Sequence, residues 1–190
     1  MNGDLTPGFA DSVADAQICF RAVLDAMARP GLVRPVAGVS APAPLCDAAA
    51  AGLLTLADHE TPLWLDDAVS AARGWIAFHT GAPVVAADEA MFAVGLALPD
   101  LTALRTGSDE MPEMSATVVL QVASLRAGRG FVLDGPGLRE PRALFVDGLP
   151  ADFCSIWQRN HGLYPRGIDL ILCCDDELTA LPRSVRVREA

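Results

Sequence analysis

The chain has 190 residues, of which 52% are hydrophobic and 20% charged, so it can build a substantial core and is not intrinsically disordered. Its formal net charge of −10 argues against nucleic acid or an anionic membrane as a partner. All 14 basic residues are arginines, which excludes a lysine Schiff base with pyridoxal phosphate and the lysine of a P-loop.

The amino-terminal residues and the cysteines indicate the compartment. Residues 1–10 are polar and are expected to form a flexible tail, not a signal peptide, while residues 1–190 as a whole show no linker and predict a single domain. The cysteines show no CxxC spacing: Cys19, Cys46, Cys154, Cys173 and Cys174. We expect reduced, packed thiols in a cytoplasmic protein. No segment has the roughly 18 uninterrupted apolar residues of a membrane span.

The first predicted element is a helix that begins at Asp11 and Ser12 and ends before Pro30 and Gly31. Its apolar residues recur at near-helical spacing: Val13, Phe20, Leu24 and Met27. An edge strand is predicted over residues 32–39, because Pro35 cannot donate a hydrogen bond within a sheet.

A buried helix over residues 43–57 follows, and after a turn comes a short strand over 62–65. The next predicted helix spans 68–78, with Trp75 and Phe78 on its buried side and Gly81 as its cap.

Strands dominate the second half of the chain. The predicted elements are, in chain order, strands at 83–86 and 91–98, a short helix at 100–104, a buried strand at 116–125, a turn at 126–130, its return strand at 131–133, a helix at 151–158, a buried strand at 168–174 and a final strand at 178–187. Together with the first half, they predict a three-layer α/β/α sandwich around a mixed sheet.

Motifs for metal binding and nucleophilic catalysis do not occur in the sequence. His59, His79 and His161 lie far apart, and neither an HExxH helix nor the Cys/His spacing of zinc sites is present. No GxSxG elbow occurs either. We therefore expect no metal and no cofactor, and we assign no catalytic residue.

Arg126 and Arg129 flank a predicted tight turn. Their guanidinium groups and the backbone N–H groups of the turn could bind an anion there. The alternative is an ordinary solvated hairpin turn, which is the commoner role of such a segment.

Asp169 and His79 are the remaining candidates for a ligand site. Asp169 lies within the apolar run from Ile168 to Leu172, where an unpaired carboxylate would be costly. It is either paired with an arginine or a neighbouring loop, or it acts as an acid in a site. His79 follows a predicted helix, where a donor or cation commonly stabilises the helix end. The two side chains could form an acid/base pair only within hydrogen-bond reach of each other.

Several strings of residues, in this order along nearly the whole chain, resemble the PhnH family, the H subunit of the bacterial carbon–phosphorus lyase core complex. They are FRxxLxAMxxPG from Phe20, LLTLAD from Leu53, TPLWL from Thr61, FHTGAP from Phe78, LQVASL from Leu120, PxGIDLIL from Pro165 and the pair Pro182-Arg183. The resemblance implies an accessory subunit that assembles with the G, I and J subunits and forms a homodimer when isolated.

The family resemblance also implies a reaction and a fold. The assembly replaces the adenine of ATP with a phosphonate and yields ribose 1-alkylphosphonate 5-triphosphate. The H subunit looks like a reduced pyridoxal-phosphate transferase fold without the cofactor site, which agrees with the missing lysine. Two alternatives remain open: a module that binds a phosphorylated ligand, and an independent enzyme that uses Asp169 and His79.

Overall fold

The computed structural model describes residues 6–36 and 38–190. Its α-helices are α1 (Ser12–Ala28), α2 (Asp47–Leu56), α3 (Arg73–Thr80) and α4 (Phe153–His161). Its strands are β1 (Arg34–Pro35), β2 (Leu63–Leu65), β3 (Phe92–Gly95), β4 (Thr117–Gln121), β5 (Ser124–Asp134), β6 (Arg142–Asp147), β7 (Asp169–Cys174), β8 (Glu177–Leu181) and β9 (Arg186–Glu189). Short 3-10 helices span Asp67–Ala72, Ala87–Glu89, Leu101–Ala103 and Pro112–Met114.

The strands form a six-stranded mixed sheet in the order β1-β8-β7-β4-β3-β2 and a three-stranded sheet in the order β6-β5-β9. Strands β2, β3, β4 and β7 run parallel, while β8 and β1 are added antiparallel at one side. The smaller sheet is antiparallel throughout. Pro35 does lie in an edge strand, as its missing N–H predicts.

The large sheet is buried on both faces, and this explains the continuous apolar runs in its central strands. In β4, Val119 faces a core built with α1, α2 and α3, whereas Val118 and Leu120 face a second core with α4 and the small sheet. Side chains alternate between faces along a strand, so both sets must be apolar.

The mixed α/β class and the mixed sheet are therefore confirmed, and the predicted helical layers are present in part. Three helices cover one face of the large sheet, and the other face is covered by one helix, α4, together with the three-stranded sheet. The small sheet was missed because its strand β6 was not recognised from the sequence.

Two predicted strands and one predicted turn differ from the structure. Residues 83–86 make only one bridge, between Leu63 and Val84. Residues 126–130 continue a single strand, β5, because the pairing with β6 shifts register between Ala127 and Phe131 and absorbs the glycines as a bulge. The final predicted strand at 178–187 is two strands, β8 and β9, which belong to different sheets.

Helix α1 begins as predicted, with the Asp11 side chain accepting hydrogen bonds from the N–H groups of Val13 and Ala14. Its buried residues, however, are the small ones: Cys19, Ala22, Val23 and Ala26. The helix packs against the alanine-rich α2, and small side chains allow that close approach. The apolar residues Val13, Phe20 and Leu24 consequently face outward, whereas Met27 packs against the core.

The prediction for the helix before Gly81 is right for one aromatic residue and wrong for the other. Trp75 is buried, whereas Phe78 is 65% exposed. Gly81 caps α3 in the left-handed conformation, with φ of 69°. No helix among the described residues is long and apolar enough to cross a bilayer.

The predicted tail at 1–10 lies partly outside the described residues, which begin at Thr6. The Thr6 carbonyl accepts a hydrogen bond of 2.9 Å from the indole N–H of Trp75. Phe9 packs against the core that the helical layer forms with the large sheet. Residues 6–10 therefore contact the helical layer.

Candidate interaction surface

Three large apolar side chains form an exposed line on α1. Val13, Phe20 and Leu24 are 66%, 51% and 57% exposed, and at 100° per residue they lie within about 40° of one another around the helix. We call these three residues the α1 stripe. Burying such side chains stabilises an association by roughly 1.5–3 kcal/mol each when burial is complete.

A shallow groove runs beside the α1 stripe, between α1 and α2. Its volume is about 380 Å³, and Phe20, Gln17 and Arg21 line it on one side with Thr55 on the other. Asp25, one turn along, forms ion pairs with Arg29 and Arg34. An apolar centre with a charged rim is the usual anatomy of a protein–protein interface.

Asp169 has the arginine partner that the structural alternative predicts. Its Oδ2 accepts a hydrogen bond of 2.5 Å from Nη2 of Arg183, and its Oδ1 accepts bonds of 2.7 Å from the backbone N–H and 3.1 Å from Nε of the same residue. Nη1 of Arg183 also donates to the carbonyl of Pro112 at 2.7 Å. The pair thus ties the start of β7 to the loops that precede β4 and follow β8.

His79 belongs to the helical layer and makes different contacts. Its Nε2 lies 3.1 Å from the carbonyl oxygen of Thr6, and its ring packs between Trp75 and Phe78 at centroid distances of 4.6 and 5.0 Å. The hydrogen bonds of His79 and Asp169 among the described residues join them to different partners. The arrangement does not provide the acid/base pair that an independent enzyme would need.

Arg126 and Arg129 lie on one strand and not in a turn. Both are exposed, and the guanidinium carbon of Arg126 sits 4.1 Å from the centre of the Phe145 ring. A cation over an aromatic face is a common stabilising contact at a surface. The tight turn predicted between these two arginines is therefore not formed, because the segment is part of β5.

Metal sites and reactive thiols are two further classes of site. Within residues 6–36 and 38–190, no group of three His, Cys, Asp or Glu side chains could hold a metal ion. All five cysteines are free thiols, and burial raises the pKa of each of them. A raised pKa lowers the thiolate fraction at neutral pH, so these thiols are poor nucleophiles.

Cys46 gives a direct test of this conclusion. Burial raises the pKa of its thiol to about 11, although backbone N–H groups at the start of α2 act in the opposite direction. We expect iodoacetamide to label Cys46 at pH 8 about a hundredfold more slowly than N-acetylcysteine, because little thiolate is present. The rate should rise steadily to pH 9.5 when followed by mass spectrometry of the folded protein. If Cys46 were labelled at pH 8 as fast as N-acetylcysteine, its thiol would not be a poor nucleophile and the prediction would be wrong.

Comparison with known proteins places these features in a family. The family model described as bacterial phosphonate metabolism protein (PhnH) matches residues 7–188. The alpha-D-ribose 1-methylphosphonate 5-triphosphate synthase subunit PhnH of Rhizobium meliloti (strain 1021) is 41% identical over 186 residues, which cover 94% of this chain and 93% of that protein.

A second relative covers about half of each chain. HtxG of Stutzerimonas stutzeri, whose name assigns it to a C-P lyase, is 35% identical over 103 residues, which are 54% of this chain and 52% of that protein. The full-length match agrees with the ordered strings that run from Phe20 to Arg183. The chain belongs to the PhnH family of bacterial phosphonate metabolism proteins.

Proposed function

We propose that this chain is an accessory subunit of the assembly that forms ribose 1-alkylphosphonate 5-triphosphate from ATP and a phosphonate, and that the α1 stripe is its docking surface. The proposal is supported by the relative from Rhizobium meliloti, which is named as a subunit of such a synthase and matches almost the whole chain. The observation that carries it is the exposure of Val13, Phe20 and Leu24 on a helix whose small residues are buried.

The proposed partners are the G, I and J subunits of the carbon–phosphorus lyase complex. When the chain is isolated, a second copy takes their place on the α1 stripe and gives a homodimer, since an apolar line of this kind favours self-association in water. The proposal also includes a single domain over residues 1–190 and a cytoplasmic location. Its fold is a reduced pyridoxal-phosphate transferase fold, which the four parallel strands of the large sheet support.

The observations favour another subunit, and not an anionic membrane, as the occupant of the α1 stripe. The stripe adjoins a groove with Arg21 on its rim, and an Asp25–Arg34 pair of 3.3 Å lies nearby. A mixed charged rim fits a protein surface better than an anionic membrane, which the net charge of −10 would repel.

Co-purification tests this proposal. The double variant Phe20→Ser/Leu24→Ser, tagged and expressed with the G, I and J subunits, should retain at least about tenfold less of the partners than the wild type, because two buried apolar contacts are lost. The control is Ile18→Ser/Met111→Ser, which removes two apolar side chains of similar exposure, 51% and 54%, outside the stripe.

Ile18 lies on α1 itself, about 140° around the helix from Val13, so the control also tests whether any change in this helix matters. Recovery of the partners by the stripe variant at wild-type levels would contradict the proposed docking surface. Equal loss with both double variants would contradict the assignment to the α1 stripe.

A further inference from the structure

A pocket of about 580 Å³ lies beside α4 at the β9 edge of the small sheet, on the side of the large sheet that is opposite to the α1 stripe. Two arginines of β9 line it, Arg186 and Arg188, together with Gln158 and His161 of α4. We refer to it as the α4–β9 pocket. Two arginines line this cavity, whereas the sequence had suggested an anion site at Arg126 and Arg129.

The two arginines share one side of β9. They flank Val187, which is buried in the core, so alternation along the strand turns Arg186 and Arg188 away from that core. Arg186 stands opposite Asp134 of β5, but its Nη1 is 3.9 Å from Oδ2 of that carboxylate, beyond hydrogen-bond length. Arg188 has no ion pair among the described residues. Both guanidinium groups therefore retain donors for a ligand.

The wall of the α4–β9 pocket is fixed by two bonds from α4 to the segment before β9. The indole N–H of Trp157 donates to the carbonyl of Val185 at 2.7 Å. Nδ1 of His161 lies 2.9 Å from the carbonyl oxygen of Arg183. Because a carbonyl can only accept, Nδ1 carries the proton of this bond, which leaves Nε2 as the ring nitrogen available to a ligand.

The same segment is held from its other side by the ion pair described above. Arg183, whose carbonyl orients His161, is bound through its side chain to Asp169. Asp169 and Arg183 thus act as positioning residues, because they fix the segment from which Arg186 projects. A site that is held by packed and hydrogen-bonded neighbours loses little freedom when a ligand binds.

We infer that the α4–β9 pocket binds a phosphate or phosphonate group. The pocket carries two arginines against one carboxylate, in a protein whose formal net charge is −10, so it is a local basic site on an acidic surface. Guanidinium groups form paired hydrogen bonds with the oxygens of such anions. The amide of Gln158 adds a neutral donor.

Calorimetry of the full chain with methyl phosphate and with methylphosphonate, at low ionic strength, tests this inference and separates the two sources of the group. Arg186→Gln/Arg188→Gln should weaken binding about tenfold or more, since each arginine contributes charge-assisted hydrogen bonds. The matched control is Arg126→Gln/Arg129→Gln, which removes the same charge from the same small sheet and should change affinity by less than about twofold.

Binding of either ligand that depends on Arg186 and Arg188 supports the inference and identifies the group. It is overturned by the absence of binding at millimolar ligand, and also by equal weakening in both double variants, which would indicate a general effect of net charge. The variant Arg186→Gln/Arg188→Gln should still co-purify with the partner subunits, so this test is independent of the α1 stripe.

Discussion

Replacing Asp169 with alanine is expected to lower the free energy of unfolding by about 3–5 kcal/mol, because it leaves the Arg183 charge largely buried without its partner. The two side chains are only 17% and 13% exposed. The substitution also removes the acceptor of the Arg183 backbone N–H. Urea denaturation followed by circular dichroism measures the change.

The exposed pair of Arg166 and Asp109 is the control for this prediction. Its atoms are 3.1 Å apart, yet its side chains are 41% and 73% exposed. Asp109→Ala should therefore cost less than about 1 kcal/mol, because solvent screens the pair and competes for it. If Asp169→Ala cost no more than Asp109→Ala, the buried pair would not hold these loops together as we describe.

Gly137→Ala is the second substitution with a large expected effect. Gly137 has a φ of 85°, and an added Cβ would lie 2.2 Å from the carbonyl oxygen of Ala28 at the end of α1. Backbone surrounds this position, so no flexible side chain can move aside. We expect a loss of at least about 3 kcal/mol in the free energy of unfolding, from backbone strain together with the steric clash.

A second glycine shows what the same substitution does where space is available. An added Cβ at Gly74, on α3, meets no atom within 4 Å. Gly74→Ala should raise the free energy of unfolding by up to about 1 kcal/mol, since alanine favours a helix over the unfolded chain. Thermal or urea denaturation of both variants gives the comparison. A Gly137→Ala protein as stable as the wild type would show that the small sheet does not approach α1 so closely.

The limits of helix α1 could be predicted from the sequence because they are local. Asp11 caps its start through hydrogen bonds to residues two and three positions later, and the helix ends before Pro30 and Gly31, where the local sequence stops it. The buried side could not be predicted in the same way. Which residues are covered depends on α2, whose alanines accept only small partners at close range. Of the four residues that look like a core stripe in the sequence, Val13, Phe20 and Leu24 are therefore exposed and Met27 packs against the core.

The strands of the small sheet also could not be predicted from neighbouring residues alone. Gly128 and Gly130 predict a turn when only neighbouring residues are considered. In the structure they lie in β5, because β6 pairs with that strand on both sides of the bulge. Such pairing brings together residues that are distant in sequence, and no local preference of β5 reveals it.

Some candidate site residues have a local signal in the sequence, whereas others are recognised only from the packing of distant elements. Asp169 could be recognised as unusual from its apolar neighbours alone, since an unpaired carboxylate is costly there. Its partner Arg183 could not be identified, because the two are 14 residues apart and meet only through the pairing of β7 with β8. Arg186 and Arg188 carried no local signal beyond an arginine-rich end of the chain, and only the packing of α4 places a pocket beside them.

The proposed role of the chain is to contribute a binding surface to the assembly. Adding the chain to the remaining subunits and following adenine release from ATP and methylphosphonate tests this role. For Phe20→Ser/Leu24→Ser, the concentration at half-maximal rate should rise at least about tenfold while the maximal rate at saturation stays that of the wild type. An unchanged half-maximal concentration, or a maximal rate that falls, would contradict the claim.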